Sequence, residues 1–114
     1  MLVMIYATFP DQASALTVGR KLVEARLAGC VNVLPSMTSV YVWNGILQTA
    51  DEAVLIAKLP AVGQHRAIAF IKDHHAYTTP AILVVPVVGG DADYIDWVIA
   101  GADGIESGDA PGAL

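Results

Sequence analysis

Three side chains in this sequence carry donor atoms that could share one metal ion: Cys30, Glu52 and His75. A soft thiolate, a carboxylate and an imidazole together suit copper or zinc. No compact ligand spacing accompanies them, since C-x-x-C, H-x-x-x-H and H-E-x-x-H are all absent. Each also has a plainer role. A lone Cys opening a strand is a small buried hydrophobe, His75 ends a helix where positive charge is favourable, and Glu52 lies in a polar, solvated stretch. His74 and His75 are neighbours and do not face one way on a regular helix. Cys30 with His75 could form a thiolate–imidazole nucleophile. No spacing marks a third residue to orient them, and there is no G-x-S-x-G and no glycine-rich phosphate loop, so no enzyme is expected. Asp91, Asp93 and Asp96 crowd the start of the last helix, where they complement its dipole. Their spacing does not match a calcium loop. Lys58 follows a buried strand segment, so its charge must find a partner, reach a cleft or pass the sheet edge.

Whether these groups can meet depends on one hairpin. Asn44-Gly45 separates Val40-Tyr41-Val42-Trp43 from Ile46-Leu47. An Asn-Gly pair between apolar runs favours a two-residue type I′ turn, with positive φ at both residues. Pairing outward from it sets Trp43 against Ile46, Val42 against Leu47 and Glu52 against Met37. Cys30 lies seven residues before Met37, or ~23 Å along a strand. Donors to one ion lie within roughly 2.0–2.3 Å of it. Cys30 and Glu52 therefore cannot coordinate one ion inside a single subunit, and a shared site requires two.

The elements follow from pattern. Leu2 to Thr8 is a buried strand. Asp11 is a helix N-cap, Leu16, Val23 and Leu27 recur at helical spacing up to Ala28, and Gly29 is the C′ residue. Cys30–Leu34 and Thr38–Trp43 are strand-like, with a bulge or bend at Pro35-Ser36. The return strand runs from Ile46 to Leu59. Pro60 opens a second helix, with Ile68 and Ile71 inward, ending near His74-His75. Ile82 to Val88 is a long last strand, and a short helix carries Tyr94, Trp97 and Val98. The order is that of an α+β, ferredoxin-like split βαβ sandwich, an antiparallel sheet with two helices on one face, plus a C-terminal helix. The other face of the sheet should stay bare in a monomer, so an oligomer is expected.

The chain has 114 residues, enough for one domain. We place it at 1–102, with 103–114 a disordered acidic tail. Its 55% hydrophobic content exceeds the roughly 45–50% usual for soluble chains. No run approaches the ~18 apolar residues of a membrane span, so the surplus suggests burial against another subunit. Net charge is −5, from six basic and eleven acidic residues. Asp103, Glu106 and Asp109 follow residue 102 with no base, which leaves the rest near balance. No basic patch suits nucleic acid. The single cysteine excludes an internal disulfide framework and fits a reducing, cytoplasmic setting.

Several stretches together resemble the CutA family of divalent-cation tolerance proteins. They are Ala25-Arg26-Leu27-Ala28-Gly29-Cys30-Val31-Asn32-Val33-Leu34-Pro35, Ser39-Val40-Tyr41-Val42-Trp43-Asn44-Gly45, Lys72-Asp73-His74-His75-Ala76-Tyr77-Thr78-Thr79-Pro80 and Gly90-Asp91-Ala92-Asp93-Tyr94-Ile95-Asp96-Trp97. The resemblance implies a ferredoxin-like subunit in a homotrimer, a link to Cu²⁺ and other divalent-metal tolerance, and metal ligands at Cys30, Glu52 and His75. Such trimers resemble PII-type signalling proteins in architecture. A small-molecule sensor or adaptor, with intersubunit clefts lined by Lys58, Tyr77 and Trp97 and no obligatory metal, is therefore the alternative. The chain departs from the family pattern at Asn44, Ile46, Leu59, Ala76, Thr78 and Ala81, and each change removes polarity or charge near the expected cleft.

Overall fold

The computed structural model describes residues 1–102; the tail expected over 103–114 lies outside the described residues. The order is β1 (Leu2–Phe9), α1 (Gln12–Glu24), β2 (Cys30–Trp43), β3 (Ile46–Pro60), a 3-10 turn (Ala61–Gly63), α2 (Gln64–Asp73), β4 (Ile82–Pro86) and α3 (Ala92–Ala102). One antiparallel sheet in the order β2-β3-β1-β4 results, which is the expected ferredoxin-like arrangement. Odd-numbered residues of β1 and β3, such as Ile5, Phe9, Leu55 and Leu59, alternate onto one face. There they meet Leu22 of α1 and Ile71 of α2 in the main core.

The turn at 44–45 forms with φ 51° at Asn44 and 77° at Gly45. Trp43 pairs with Ile46 and Met37 with Glu52, as the sequence predicts. The expected irregularity falls between Leu34 and Met37, after which Cys30 pairs with Lys58. The two strand-like pieces are thus one bulged strand.

Several details differ from expectation. Helix α1 ends at Glu24, and the left-handed C′ residue is Arg26, φ 58°, not Gly29. The Arg26 N–H donates to Val23 O and the Leu27 N–H to Leu22 O, a Schellman closure. The buried stripe of α1 is Ala15, Val18, Gly19 and Leu22 rather than Leu16, Val23 and Leu27. Small residues let the helix approach the sheet: a Cβ on Gly19 would stand 3.1 Å from Leu55. Pro60 closes β3 and caps the 3-10 turn, so α2 starts at Gln64. Ile71 is buried, and Ile68 packs against the core from its edge. Strand β4 stops at Pro86 rather than Val88, with the Val87 N–H still donating to the Leu2 carbonyl at 3.1 Å.

The second face of the sheet is not bare throughout. Helix α3 covers one end, where Val98 is fully buried. It docks backbone to backbone, since a Cβ on Gly29 would stand 2.1 Å from Val98 O. What remains exposed is Leu34, Leu83 and Val85 on that face, and the distal half of the β2–β3 hairpin. β1 pairs no further along β3 than Ala53, so residues 37–52 form a two-stranded arm, consistent with a molecule 49 Å long and about 25 Å across. Trp43 is 63% exposed and Leu47 70%.

Candidate functional site

The candidate donors of the sheet fall in two places. The first lies where β1 ends and the arm begins. Glu52 immediately precedes Ala53, the first β1-paired residue of β3, and the loop after α2 brings His75 and Tyr77 to it. The Tyr77 hydroxyl donates to Glu52 Oε2 at 3.2 Å, and the Ser39 hydroxyl donates to Oε1 at 2.6 Å. The Tyr77 backbone N–H donates to His75 Nδ1 at 3.0 Å, while His75 Nε2 lies 2.6 Å from the Thr8 carbonyl. A backbone N–H cannot accept and a carbonyl cannot donate, so this ring carries its proton on Nε2. The imidazole also stacks on Phe9, with ring centroids 4.3 Å apart. Burial, with the neighbouring Glu52 charge and hydrogen bond, raises the Tyr77 phenol above its usual value near 10. Its proton therefore stays on the phenol as the donor to Glu52. His74 turns away, its Nδ1 on the Phe70 carbonyl at 2.8 Å, so the two histidines do not act together.

The second place lies at the other end of β3, beneath α3. Cys30, half-buried, pairs with Lys58, and paired residues share a face. Lys58 Nζ donates to the Tyr94 hydroxyl at 2.9 Å and sits 5.1 Å from that ring's centroid, a cation–π contact. Trp97 stacks beyond Tyr94 at 6.0 Å. The Trp97 Nε1 atom is buried and has no acceptor among the described residues.

Six positions of β3 separate Lys58 from Glu52, ~20 Å of strand. The structure therefore joins Glu52 to His75 through Tyr77 and leaves Cys30 apart from both. Among the described residues no three His, Cys, Asp or Glu side chains could together hold a metal ion. A Cys30–His75 nucleophile pair is not formed within the protomer for the same reason. The cleft residues divide likewise, with Lys58 and Trp97 under α3 and Tyr77 beside Glu52. Sequence reasoning missed Ser39, Thr8 and Tyr94 as partners. Ser39 was within reach of the register, since it lies two residues from Met37 and so shares the face of Glu52. The Thr8 carbonyl and Tyr94 had no such marker.

No helix among the described residues is long and apolar enough to cross a membrane. The family model described as "CutA1 divalent ion tolerance protein" matches residues 3–100. The "Divalent-cation tolerance protein CutA" of Pectobacterium atrosepticum is 41% identical over 98 residues, covering 86% of this chain and 89% of the relative. The crystal structure of CutA from Xylella fastidiosa superposes with a TM-score of 0.87 at 36% identity, over 90% of this chain and 98% of that one. The structure of the "Periplasmic divalent cation tolerance protein CutA" from Archaeoglobus fulgidus gives 0.86 at 30% identity, over 90% and 99%.

Proposed function

The chain belongs to the CutA1 divalent ion tolerance family, and on that footing we propose that it is a homotrimer that holds Cu²⁺ or a related divalent cation between protomers. Cys30 of one protomer supplies the thiolate, and Glu52 and His75 of a neighbour supply the carboxylate and imidazole. The observation that carries this reading is the separation itself. Family membership links the chain to divalent cations, while one protomer keeps its thiol ~20 Å of strand from its carboxylate–imidazole pair. The exposed arm supplies a reason for protomers to meet, since a two-stranded ribbon is only marginally stable alone in water.

His75 in the free protomer has both ring nitrogens engaged. A cation therefore competes with the Thr8 carbonyl or the Tyr77 N–H, and the Tyr77 loop responds to loading. A single thiol is kept available in a reducing, cytoplasmic setting. Calorimetric titration with Cu²⁺ tests the proposal. The wild type takes up metal in stoichiometric amounts, and Cys30→Ala and His75→Ala each weaken uptake at least tenfold. No uptake by the wild type at micromolar metal contradicts it.

The second reading, a PII-like small-molecule sensor or adaptor, draws on Lys58, Tyr94 and Trp97. A cation beside aromatic rings, with a buried indole N–H lacking an acceptor among the described residues, suits an anionic, planar ligand, with Tyr77 of a neighbour closing the cleft. A thermal-shift screen against anionic metabolites separates the two. A compound that raises the melting point of the wild type but not of Lys58→Ala, without metal, favours the sensor.

A further inference from the structure

The surroundings of Glu52 hold one more donor, a thioether. Met37 of β2 is the register partner of Glu52, and such partners share a face of the sheet with Cβ atoms ~4.5–5.5 Å apart. Ser39, two residues on, lies on the same face and bonds the Glu52 carboxylate. The bulge in β2 is what brings the sulfur here. Continuing the Cys30–Lys58 register without the shift between Leu34 and Met37 would set Ser36 opposite Glu52, and a slip of one residue turns every side chain to the other face. Bulges re-aim side chains in this way beside functional sites.

The sulfur is also held in place. The Tyr6 hydroxyl of β1 reaches across β3 and donates to Met37 Sδ at 3.3 Å. A methionine that merely fills a gap has three free torsions and asks for no hydrogen bond. Here one sulfur lone pair accepts from Tyr6, and the other is left for a second partner. Met37 is half-buried, so that partner can reach it. On the reading that a cation sits between protomers, we propose that Met37 Sδ is a further ligand of that cation. It joins Glu52 and His75 of its own protomer and Cys30 of a neighbour, and lets the site hold copper as Cu⁺ as well as Cu²⁺. Thiolate and thioether together select Cu⁺. Zn²⁺ is held by thiolate, imidazole and carboxylate, so it gains little from the thioether. No electron transfer is involved, since Cu⁺ enters as Cu⁺.

Competition against a chromophoric Cu⁺ chelator under argon, with a separate Zn²⁺ titration of the full chain, tests this. Met37→Leu nearly conserves volume, so the melting point of the metal-free protein holds. The variant binds Cu⁺ about tenfold more weakly and changes Zn²⁺ binding less than about twofold. X-ray absorption at the copper edge of selenomethionine-labelled protein reads the contact directly. Of the three methionines, Met1 is 83% exposed and Met4 pairs with Lys58 at the α3 end of β3. A copper–selenium scattering path therefore appears in the wild type, survives Met4→Leu and vanishes in Met37→Leu. If Met37→Leu lowers the metal-free melting point, the presence or absence of that path in the wild type decides alone. Equal Cu⁺ binding by wild type and Met37→Leu, equal loss of both ions, or a path that persists in Met37→Leu overturns the proposal and leaves the intersubunit site standing. A wild type that binds neither ion overturns both.

Discussion

His75 is held from four sides: the Thr8 carbonyl, the Tyr77 N–H, the face of Phe9 and the tilted ring of Tyr77. Such a histidine contributes to stability before any metal arrives. His75→Ala leaves the Thr8 carbonyl without its partner and uncovers Phe9, so urea unfolding should show a loss of about 1–3 kcal/mol. Tyr77 gives a pH signature. Its phenol titrates above its unfolded value of about 10. The folded state therefore gains stability from the protonated phenol below pH 10 and loses it as pH rises through the higher folded value. Melting curves between pH 8 and 11 should fall less steeply for Tyr77→Phe than for the wild type. At this scale the sequence revealed which donors exist and, through the hairpin register, that Cys30 and Glu52 stand apart. It could not reveal that both nitrogens of His75 are occupied. The segment from His74 to Ala81 is irregular, without periodicity, and its contacts reach Thr8 and Glu52, which are distant in the chain.

Between elements, glycine placement decides what can approach. Gly29 reads in the sequence as the end of α1, yet its structural role is to admit the α3 backbone at Val98. Gly29→Ala must push α3 outward. Overpacking of this kind costs about 1–3 kcal/mol, and α3 carries Trp97, so its fluorescence should shift to the red in a Trp43→Phe background. The turn is the opposite case, legible from two letters. At Gly45, φ is 77° with nothing within 4 Å of an added Cβ, so Gly45→Ala pays only for its backbone, about 1–2 kcal/mol by thermal unfolding. Strand pairing was readable because period-2 alternation and Asn-Gly are local signals. The buried face of α1 was not, because Ala15 and Gly19 carry little hydrophobic weight and pack through their smallness. The end of β4 at Pro86 had no local marker, since Val87 and Val88 continue its apolar run.

The whole protomer is a ferredoxin-like sandwich with an apolar arm that its own layers do not cover. The expectation of a bare sheet face was right for Leu34, Leu83 and Val85 and wrong beneath α3, since a short C-terminal helix gives no sign in its sequence of the face it will choose. The arm changes where the unmet apolar surface lies. Trp43, Val42, Ile46 and Leu47 are exposed together around the turn, and exposed apolar patches of this kind mark association surfaces. Val42→Ser/Leu47→Ser should therefore weaken self-association in sedimentation runs while the protomer keeps its far-ultraviolet spectrum. The proposed metal site belongs to the same scale, because no single protomer brings Cys30 to Glu52 and His75. Native mass spectrometry of the chain titrated with Cu²⁺ addresses both at once. A three-chain species that takes up to one ion per chain, with metal-free and metal-poor single chains beside it, is the predicted result. A stable single chain at every concentration, or three-chain assemblies that remain bare at excess metal, would contradict it.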